Sequence, residues 1–356
     1  ENWVNLSYMQ TILVTGGLGF IGSHTSIELL IKGYRLILLD NLENSSISLI
    51  KKIKYISSLK KEYENISIDF IKGDVRDSRL LDEIFLIEFK KGNTISGVLH
   101  FAGLKSTSES VINPIKYWDQ NLISAITLLK VMNKFNCKNL VFSSSATVYG
   151  ASQDNPLNEE LICSPINPYG ETKNSIEKML KNVYESDREN WNIINLRYFN
   201  PIGAHTSTLI GQMSNQTDGN LFPILCEVAL NKREELIIYG NNWPTKDGTC
   251  VRDYVHIMDI AEGHIKSLEY LFSSKGVFHS INLGTGRPTS VMELIKIFEK
   301  VNKVNIKFSF SDRRVGDVPT LCADIKLAKK ILNWNSRLGI EQMCIDGWNW
   351  FKNYHN

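Results

Sequence analysis

The chain has 356 residues, 43% of them hydrophobic and 22% charged, with a formal net charge of +2. That balance is the one expected of a soluble globular protein of one large or two moderate domains. It gives no electrostatic case for nucleic acid, and lysine groups such as Lys51–Lys54 and Lys60–Lys61 read as solvated helix faces. No apolar run reaches the about 18 residues that a membrane span needs, and the first ten residues lack a charged-then-apolar order. Six cysteines are scattered without a CxxC pair, which fits reduced, packing cysteines in a cytosolic protein better than a disulfide frame or a metal site.

Residues 1–10 read as a ragged leader, because the first apolar strand begins at Thr11. Thr11–Gly22 reads as a buried strand, a sharp glycine turn and a helix start. Gly16 permits the tight turn, Gly19 lets backbone approach a phosphate, and Gly22 lets the helix pack close to the strand. Phe20 and Ile21 open the helix, whose free N–H groups and dipole favour an anion. The second apolar run, Arg35–Asp40, ends in a carboxylate 18 residues after Gly22. A dinucleotide fold places there the acid that holds the adenosine ribose, and a carboxylate repels a 2′-phosphate, so NAD is expected rather than NADP.

A polar loop follows, Asn41–Ser48, including Asn44 and Ser45, then a lysine-rich helix to about Lys61, expected on the surface. Ile66–Ile71 alternates as a third strand and ends in Gly73-Asp74-Val75. Asp74 either reaches toward the adenine or caps the next helix. The fourth strand, Gly97–Phe101, leads into Ala102-Gly103-Leu104-Lys105, at the carboxyl edge where open parallel sheets bind ligands. Lys105 meets a phosphate or sugar hydroxyl there, or is a solvated loop lysine. Pro114 starts a long helix through about Phe135; Asn121 on it is a cofactor contact or a local backbone partner.

The fifth strand, Leu140–Phe142, runs into Ser143-Ser144-Ser145, hydroxyls over the cofactor cleft or a polar turn. Asn167–Lys173 opens a helix on which Tyr169 and Lys173, four apart, share a face. A cation beside a phenol favours the phenolate, so Lys173 is expected to lower the Tyr169 value from near pH 10 and to hold the nicotinamide ribose. Ser145 can share the proton between a substrate hydroxyl and Tyr169. Such a general acid/base pairs naturally with hydride transfer to a nicotinamide. After a sixth strand, Asn192–Arg197, the strand–helix alternation fades, and residues 201–356 read as a smaller lobe interleaved with the cofactor domain of residues 11–200, which regains segments near 250–285. Ser290 and Glu293 read as a capping box, and Met343–Phe351 as a packing stretch rich in tryptophan. The fold class is α/β, a doubly wound parallel sheet with a mixed substrate lobe.

The segments TGGLGFIGSH (15–24), LLDNL (38–42), GDVRD (73–77), FAGLK (101–105), SSSATVYG (143–150), PYGETK (168–173) and LRYFNPIGAH (196–205) resemble the extended short-chain dehydrogenase/reductase family. NLFP (220–223), YGNNWPTKDGTCVRDYVH (239–256), NLGTG (282–286) and RRVGD (313–317) are similar to its UDP-sugar 4-epimerase branch. The resemblance implies interconversion of UDP-glucose and UDP-galactose with tightly bound NAD. Tyr169 would take the proton of the sugar 4-hydroxyl while the C4 hydride passes to NAD, and the 4-keto sugar would turn before hydride returns to its other face. By motif, Ser145 and Tyr169 flank the sugar, Phe199 sits against the nicotinamide, and Asn200 contacts the diphosphate. Asn220, Leu221, Arg252 and Arg314 would bind UDP, with Asp317 near the uridine ribose and Tyr239 against the uracil. Leu321 stands where tyrosine narrows the sugar pocket and cysteine opens it, so acceptance of N-acetylated UDP-sugars stays open both ways. The resemblance further implies a homodimer built on the helices at about 114–135 and 169–186. A 4,6-dehydratase of the family would carry an Asp-Glu pair where Ala146 and Thr147 stand; a decarboxylase, and a non-enzymatic NAD-binding regulator, are the other readings.

Overall fold

The computed structural model describes residues 10–60, 67–152, 154–212, 220–314 and 317–355. The leader reading therefore lies outside the described residues apart from Gln10, as do Ile66 and the Val315-Gly316 part of the RRVGD segment. Six strands alternate with helices: β1 (Thr11–Thr15), β2 (Arg35–Asp40), β3 (Ile68–Lys72), β4 (Ile95–His100), β5 (Asn139–Ser145) and β6 (Asn192–Tyr198). They form one parallel sheet in the order β3-β2-β1-β4-β5-β6, with Val277–Leu283 beside β6 as a seventh strand. The strand–helix alternation thus does not end at β6. The helix Ile257–Phe272 crosses over and returns the chain to the sheet at Val277–Leu283, within the stretch near 250–285 expected to rejoin the cofactor domain.

Strands buried on both faces read as continuous apolar runs, and Ile12, Leu13, Val14, Leu36, Leu38 and Leu39 are fully covered. The strand order reverses between β1 and β4, the place where doubly wound sheets open a crevice at their carboxyl ends. Helix Phe20–Ile31 stops at Gly33, whose φ of 84° suits glycine. The lysine-rich helix spans Leu49–Leu59; it buries Ile53 and Ile56 and leaves Lys51 and Lys54 exposed.

The reading of one regular helix from Pro114 needs correction. A helix at Thr107–Ile112 precedes it, and Trp118–Ile123 is π-helical before Ser124–Lys134 resumes as α-helix. The wider turn brings Asn121 to the loop after β4, where its Oδ1 accepts from Leu104 N at 2.7 Å. The serine run is also not a loop. Ser143, Ser144 and Ser145 complete β5, paired in register with Leu196, Arg197 and Tyr198, and a short 3₁₀ turn at Ala146–Tyr149 follows.

The remainder is built from small pieces: Asn200–Ile202 with Tyr254–His256, Leu236–Tyr239 with Phe308–Ser311, and Val251–Arg252 between Thr289–Ser290 and Thr320–Leu321. Its core gathers Phe222, Leu225, Leu294, Phe298, Trp348 and Phe351. Ser290 and Glu293 exchange the two hydrogen bonds of a capping box, each at 3.0 Å.

Candidate active site

The glycine turn is shaped by what it lacks. Gly16 has φ 68°, and a Cβ there would lie 2.7 Å from Ala102 N. A Cβ on Gly22 would lie 2.3 Å from the Gly16 carbonyl, whereas one on Gly19 would meet only that carbonyl, at 3.3 Å. No side chain caps the helix at Gly19, so its first N–H groups face the crevice. Asp40 fixes this geometry: Oδ2 accepts from Leu18 N at 3.0 Å, and Oδ1 from Leu42 N at 2.9 Å and Ser45 Oγ at 2.8 Å. One cleft is lined by Gly16, Gly19, Asp40, Asn41, Asn44, Ser45, Asp74, Val75, Phe101, Ala102 and Gly103. Glu43, Arg76, Gln120 and Ser124 also line it, and their spacing carries no signal that sequence reasoning could use.

Asp74 does not cap the helix that follows; Asp77 does, accepting from Arg79 N and Leu80 N. The Asp74 carboxyl instead grips Arg76, whose guanidinium holds it below the usual carboxylate range. Asn121 is fully engaged, with Nδ2 donating to Leu104 O at 3.2 Å and Thr172 Oγ1 at 3.0 Å. It braces the loop after β4 against the helix of Tyr169. Lys105 stands exposed beyond that brace, and Phe20 and Ile21 are half-buried at the helix start.

At the end of β5 the chain brings Ser145, Tyr169 and Lys173 together. Helix Pro168–Ser186 begins with Asn167 as N-cap, accepting from Gly170 N at 2.8 Å, and has Pro168 in its first turn. Tyr169 is therefore one turn from Lys173, and both are buried. Lys173 Nζ donates to Ser143 O at 2.7 Å and stands 4.8 Å from the Phe142 ring centroid. A Cβ on Gly103 would lie 3.8 Å from this Nζ, so the cleft wall at Gly103 adjoins the Lys173 amine. Ser145 Oγ accepts from Thr147 N at 3.2 Å and Thr147 Oγ1 at 3.0 Å, which directs its own proton elsewhere. Tyr117 meets the Tyr169 ring edge-on at 6.5 Å.

One expectation about this group is reversed. Burial pushes the Tyr169 phenol up, and Ser145, not Lys173, pulls part of it back. The ammonium lies 5.8 Å from the ring centroid and is itself drawn down to about 8 by burial, with Glu177 opposing. Desolvation outweighs the cation when protein groups alone surround the phenol.

The more distant positions lie beyond β6. Phe199 is buried and its N–H donates to Leu283 O at 3.1 Å; Asn200 N donates to Asp253 O at 3.0 Å. Arg252 donates to Val251 O and Val318 O, each at 2.9 Å, and to Asp317 at 3.4 Å. The Arg314 guanidinium stacks 4.2 Å from the Tyr239 ring centroid. Asn220 is exposed at the start of helix Leu221–Ala229, and Leu321 pairs with Arg252 and packs against the cluster of Ala146, Val148, Phe199 and Ala323.

Two buried carboxylates escaped sequence reading. Asp253 collects Thr285 N and Oγ1, Gly286 N and Ala323 N, tying the NLGTG turn to the RDY segment. Glu177 pairs with Arg197 through bonds of 3.0 and 2.6 Å and accepts from Ser144 Oγ at 2.5 Å. Both depend on partners far away in the chain, which no local spacing encodes.

A dinucleotide crevice that opens onto a serine–tyrosine–lysine group defines a nucleotide-dependent enzyme of the extended short-chain dehydrogenase/reductase class. The family model described as GDP-mannose 4,6 dehydratase matches residues 13–346. The chain is 45% identical over 339 residues to UDP-glucose 4-epimerase of Bacillus subtilis (strain 168), covering 95% of this chain and 96% of that protein. It superposes on the UDP-glucose 4-epimerase of Stenotrophomonas maltophila, solved with bound NAD and formylated UDP-arabinopyranose, with a TM-score of 0.91 and 38% identity, covering 97% and 99% of the two chains. The enzyme of Bifidobacterium longum, in complex with NAD⁺ and UDP, gives a TM-score of 0.89 and 41% identity, covering 98% and 99%. The chain belongs to the UDP-glucose 4-epimerase family.

Proposed function

We propose that this protein interconverts UDP-glucose and UDP-galactose at C4 through a 4-keto sugar, with Tyr169 as general acid/base. The observation that carries the reading is the meeting of Ser145, Tyr169 and Lys173 at the end of β5, with Gly103 linking them to the glycine cradle. NAD fits this crevice: the turn offers capless helix N–H groups to a diphosphate, and Asp40 offers a buried carboxylate to ribose hydroxyls. Gly16, Gly19, Gly22, Asp40, Asp74 and Val75 would hold its adenosine and phosphates, and Lys173 its other ribose. When bound, the oxidised nicotinamide would supply a hydride acceptor and a positive ring charge.

The chain's own groups then manage the proton. Ser145, with both nearby Thr147 donors already pointed at its oxygen, donates toward Tyr169 or the sugar hydroxyl. Tyr169 takes the proton as the C4 hydroxyl becomes a ketone and returns it after the sugar has turned. Arg252, Arg314 and Asp317 hold the nucleotide end meanwhile; the guanidinium fork suits a diphosphate. Asn200, Asn220, Leu221 and Tyr239 complete that grip in this reading. Ala146 and Thr147 leave no carboxylate beside Ser145, so nothing there removes the C5 proton of a dehydratase reaction.

The reading extends to N-acetylated UDP-sugars, since leucine at position 321 is smaller than tyrosine, and to a homodimer. Ile112, Ile115 and Trp118 are 77%, 82% and 36% exposed along the helical run that packs against the Tyr169 helix. Two copies meeting there would cover an apolar face. A cytoplasmic location agrees with cysteines that are all unpaired.

The test is direct. Purified protein given UDP-galactose without added NAD is expected to form UDP-glucose, and UDP-N-acetylgalactosamine assayed beside it reads the Leu321 pocket. Tyr169→Phe is expected to lower kcat by about 10²–10⁴-fold with an unchanged melting temperature. Bound dinucleotide without turnover in the wild type would favour a regulator; full activity in Y169F would remove Tyr169 from the chemistry.

A further inference from the structure

Behind the Ser145–Tyr169–Lys173 group lies a polar cluster for which the reaction as described has no use. Glu177 stands one turn beyond Lys173 on helix Pro168–Ser186, on the same face, and is 6% exposed. Its Oε1 accepts from Ser144 Oγ at 2.5 Å and Arg197 Nε at 3.0 Å; its Oε2 accepts from an Arg197 terminal nitrogen at 2.6 Å and Ser280 Oγ at 3.3 Å. Four donors on one carboxylate leave it little freedom to move.

The placement of Ser144 is what matters. It lies between Ser143, whose carbonyl receives Lys173, and Ser145. The helix therefore grips two successive residues of β5, by Lys173 at the Ser143 backbone and by Glu177 at the Ser144 side chain. Arg197, the register partner of Ser144 on β6, closes the clamp from the other side. A buried ion pair adds little net stability compared with apolar residues of similar shape, so stability alone is a weak reason for this one.

We propose that Glu177 is a positioning residue for the epimerase reaction: its carboxylate fixes Ser145 relative to Tyr169, and its negative charge keeps Lys173 an ammonium. This rests on the reading of the site given above. The other titratable groups facing Lys173 are Tyr169 on its own helix and His100 on β4, which burial holds neutral with a value of about 3. Facing Glu177 are Arg197 from β6 and, from the preceding loop, the Cys163 thiol, which burial pushes up. Glu177 is thus the one anion acting on Lys173 among the described residues, opposing the burial that draws the amine down to about 8.

The experiment measures kcat and KM of the holoenzyme with UDP-galactose from about pH 6 to about pH 10. In Glu177→Gln the alkaline limb of the kcat profile is expected to move to lower pH by about one unit, with KM unchanged, because Glu177 touches no substrate. Glu177→Asp is expected to restore the position of the limb. Ser144→Ala, which keeps both charges, is expected to lower kcat several-fold at every pH and leave the limb in place. If E177Q strands Arg197 and does not fold, the double variant Glu177→Gln with Arg197→Met reads the same limb without a stranded charge, and S144A decides the clamp in any case. An E177Q limb that coincides with the wild type, or an S144A kcat equal to it, overturns the proposal. Wild-type protein inert toward UDP-galactose overturns the underlying reading and this proposal with it; an active wild type with an unshifted E177Q overturns this proposal alone.

Discussion

The two halves of the crevice are prepared in different ways. On the cofactor side, the site is a by-product of the sheet: β1, β2 and β4 end side by side, and Asp40 bonds the Leu18 and Leu42 backbones that frame the glycine turn. On the substrate side, the proposed contacts come from strands of three small sheets at Asn200, Tyr239, Arg252 and Leu321, from the start of helix Leu221–Ala229, and from Arg314 and Asp317 outside any strand. There the cations rest on protein partners, Arg252 on two carbonyls and Asp317, Arg314 on the Tyr239 ring. The first half offers a finished cradle, the second a set of groups that, under the proposed function, would exchange internal partners for ligand. Both halves have buried apolar cores, so the contrast lies in how the contacts are prepared: by one continuous sheet on one side and by separate small pieces on the other.

Acid is the strongest way to break this contrast. His24, His100 and His264 are buried around the parallel sheet, and burial lowers them to about 3, about 3 and about 4 from an ordinary 6.5. The folded state then binds fewer protons than the unfolded one. Their stabilisation is whole above about pH 6.5 and drains away as pH falls toward 4 and then 3. With His205, which burial also lowers to about 4, urea unfolding at stepped pH is expected to show about four protons in the slope across this window, and His100→Gln about one fewer. A slope unchanged by H100Q would show that this imidazole is already charged in the folded chain.

Next in size is the cost of stranding a charge in each half. Arg197→Met leaves Glu177 buried without its cation and is expected to lower the unfolding free energy by about 3–5 kcal/mol. Asp317→Asn breaks the Arg252 pair where Asp317 is 31% exposed, and less than about 1 kcal/mol is expected. Equal losses in thermal and urea unfolding would erase the distinction between the halves.

The same distinction governs what the sequence discloses. Gly16, Gly19, Gly22 and Asp40 stand at spacings that a strand–turn–helix unit enforces, so the cradle is legible from short range. Tyr169 and Lys173 are legible because a helix brings i and i+4 together. Asn121 is visible as a polar residue on an apolar helix, yet its bracing of Leu104 depends on a π turn that no periodicity announces. Glu177 and Asp253 are invisible, since Arg197, Thr285 and Ala323 reach them only through tertiary folding. The sign of the Tyr169 shift is illegible for a related reason: spacing gives the neighbour, but only the packed structure gives the desolvation. The proposed UDP contacts come from segments as far apart as Asn200 and Leu321 and are legible only through family resemblance.

Smaller effects sharpen the comparison at the ligand. Gly22→Ala drives a methyl to within 2.3 Å of the Gly16 carbonyl, and this cradle has no slack. About 1–3 kcal/mol of strain is expected, read as less copurified NAD by absorbance and weaker dinucleotide binding. NAD retained at the wild-type level would show that the turn yields after all.

Arg314→Ala probes the substrate half, and its effect on ligand binding is moderated because two contributions oppose. Losing the guanidinium removes a charge-assisted bond to a diphosphate, about 1.5–3 kcal/mol. It also uncovers the Tyr239 ring, which in the free protein is stacked against that guanidinium, a contact worth about 0.5–1 kcal/mol at an exposed site. The ligand no longer has to break that stack, so the net cost is about 1–2 kcal/mol, or roughly a five- to thirtyfold rise in KM for UDP-galactose with kcat unchanged. Tyr239→Leu, lacking both the stack and the aromatic face, separates the two contributions. A KM for R314A at or below the wild-type value would mean that Arg314 stays on Tyr239 when nucleotide binds, and that this part of the lobe is as fixed as the cradle opposite.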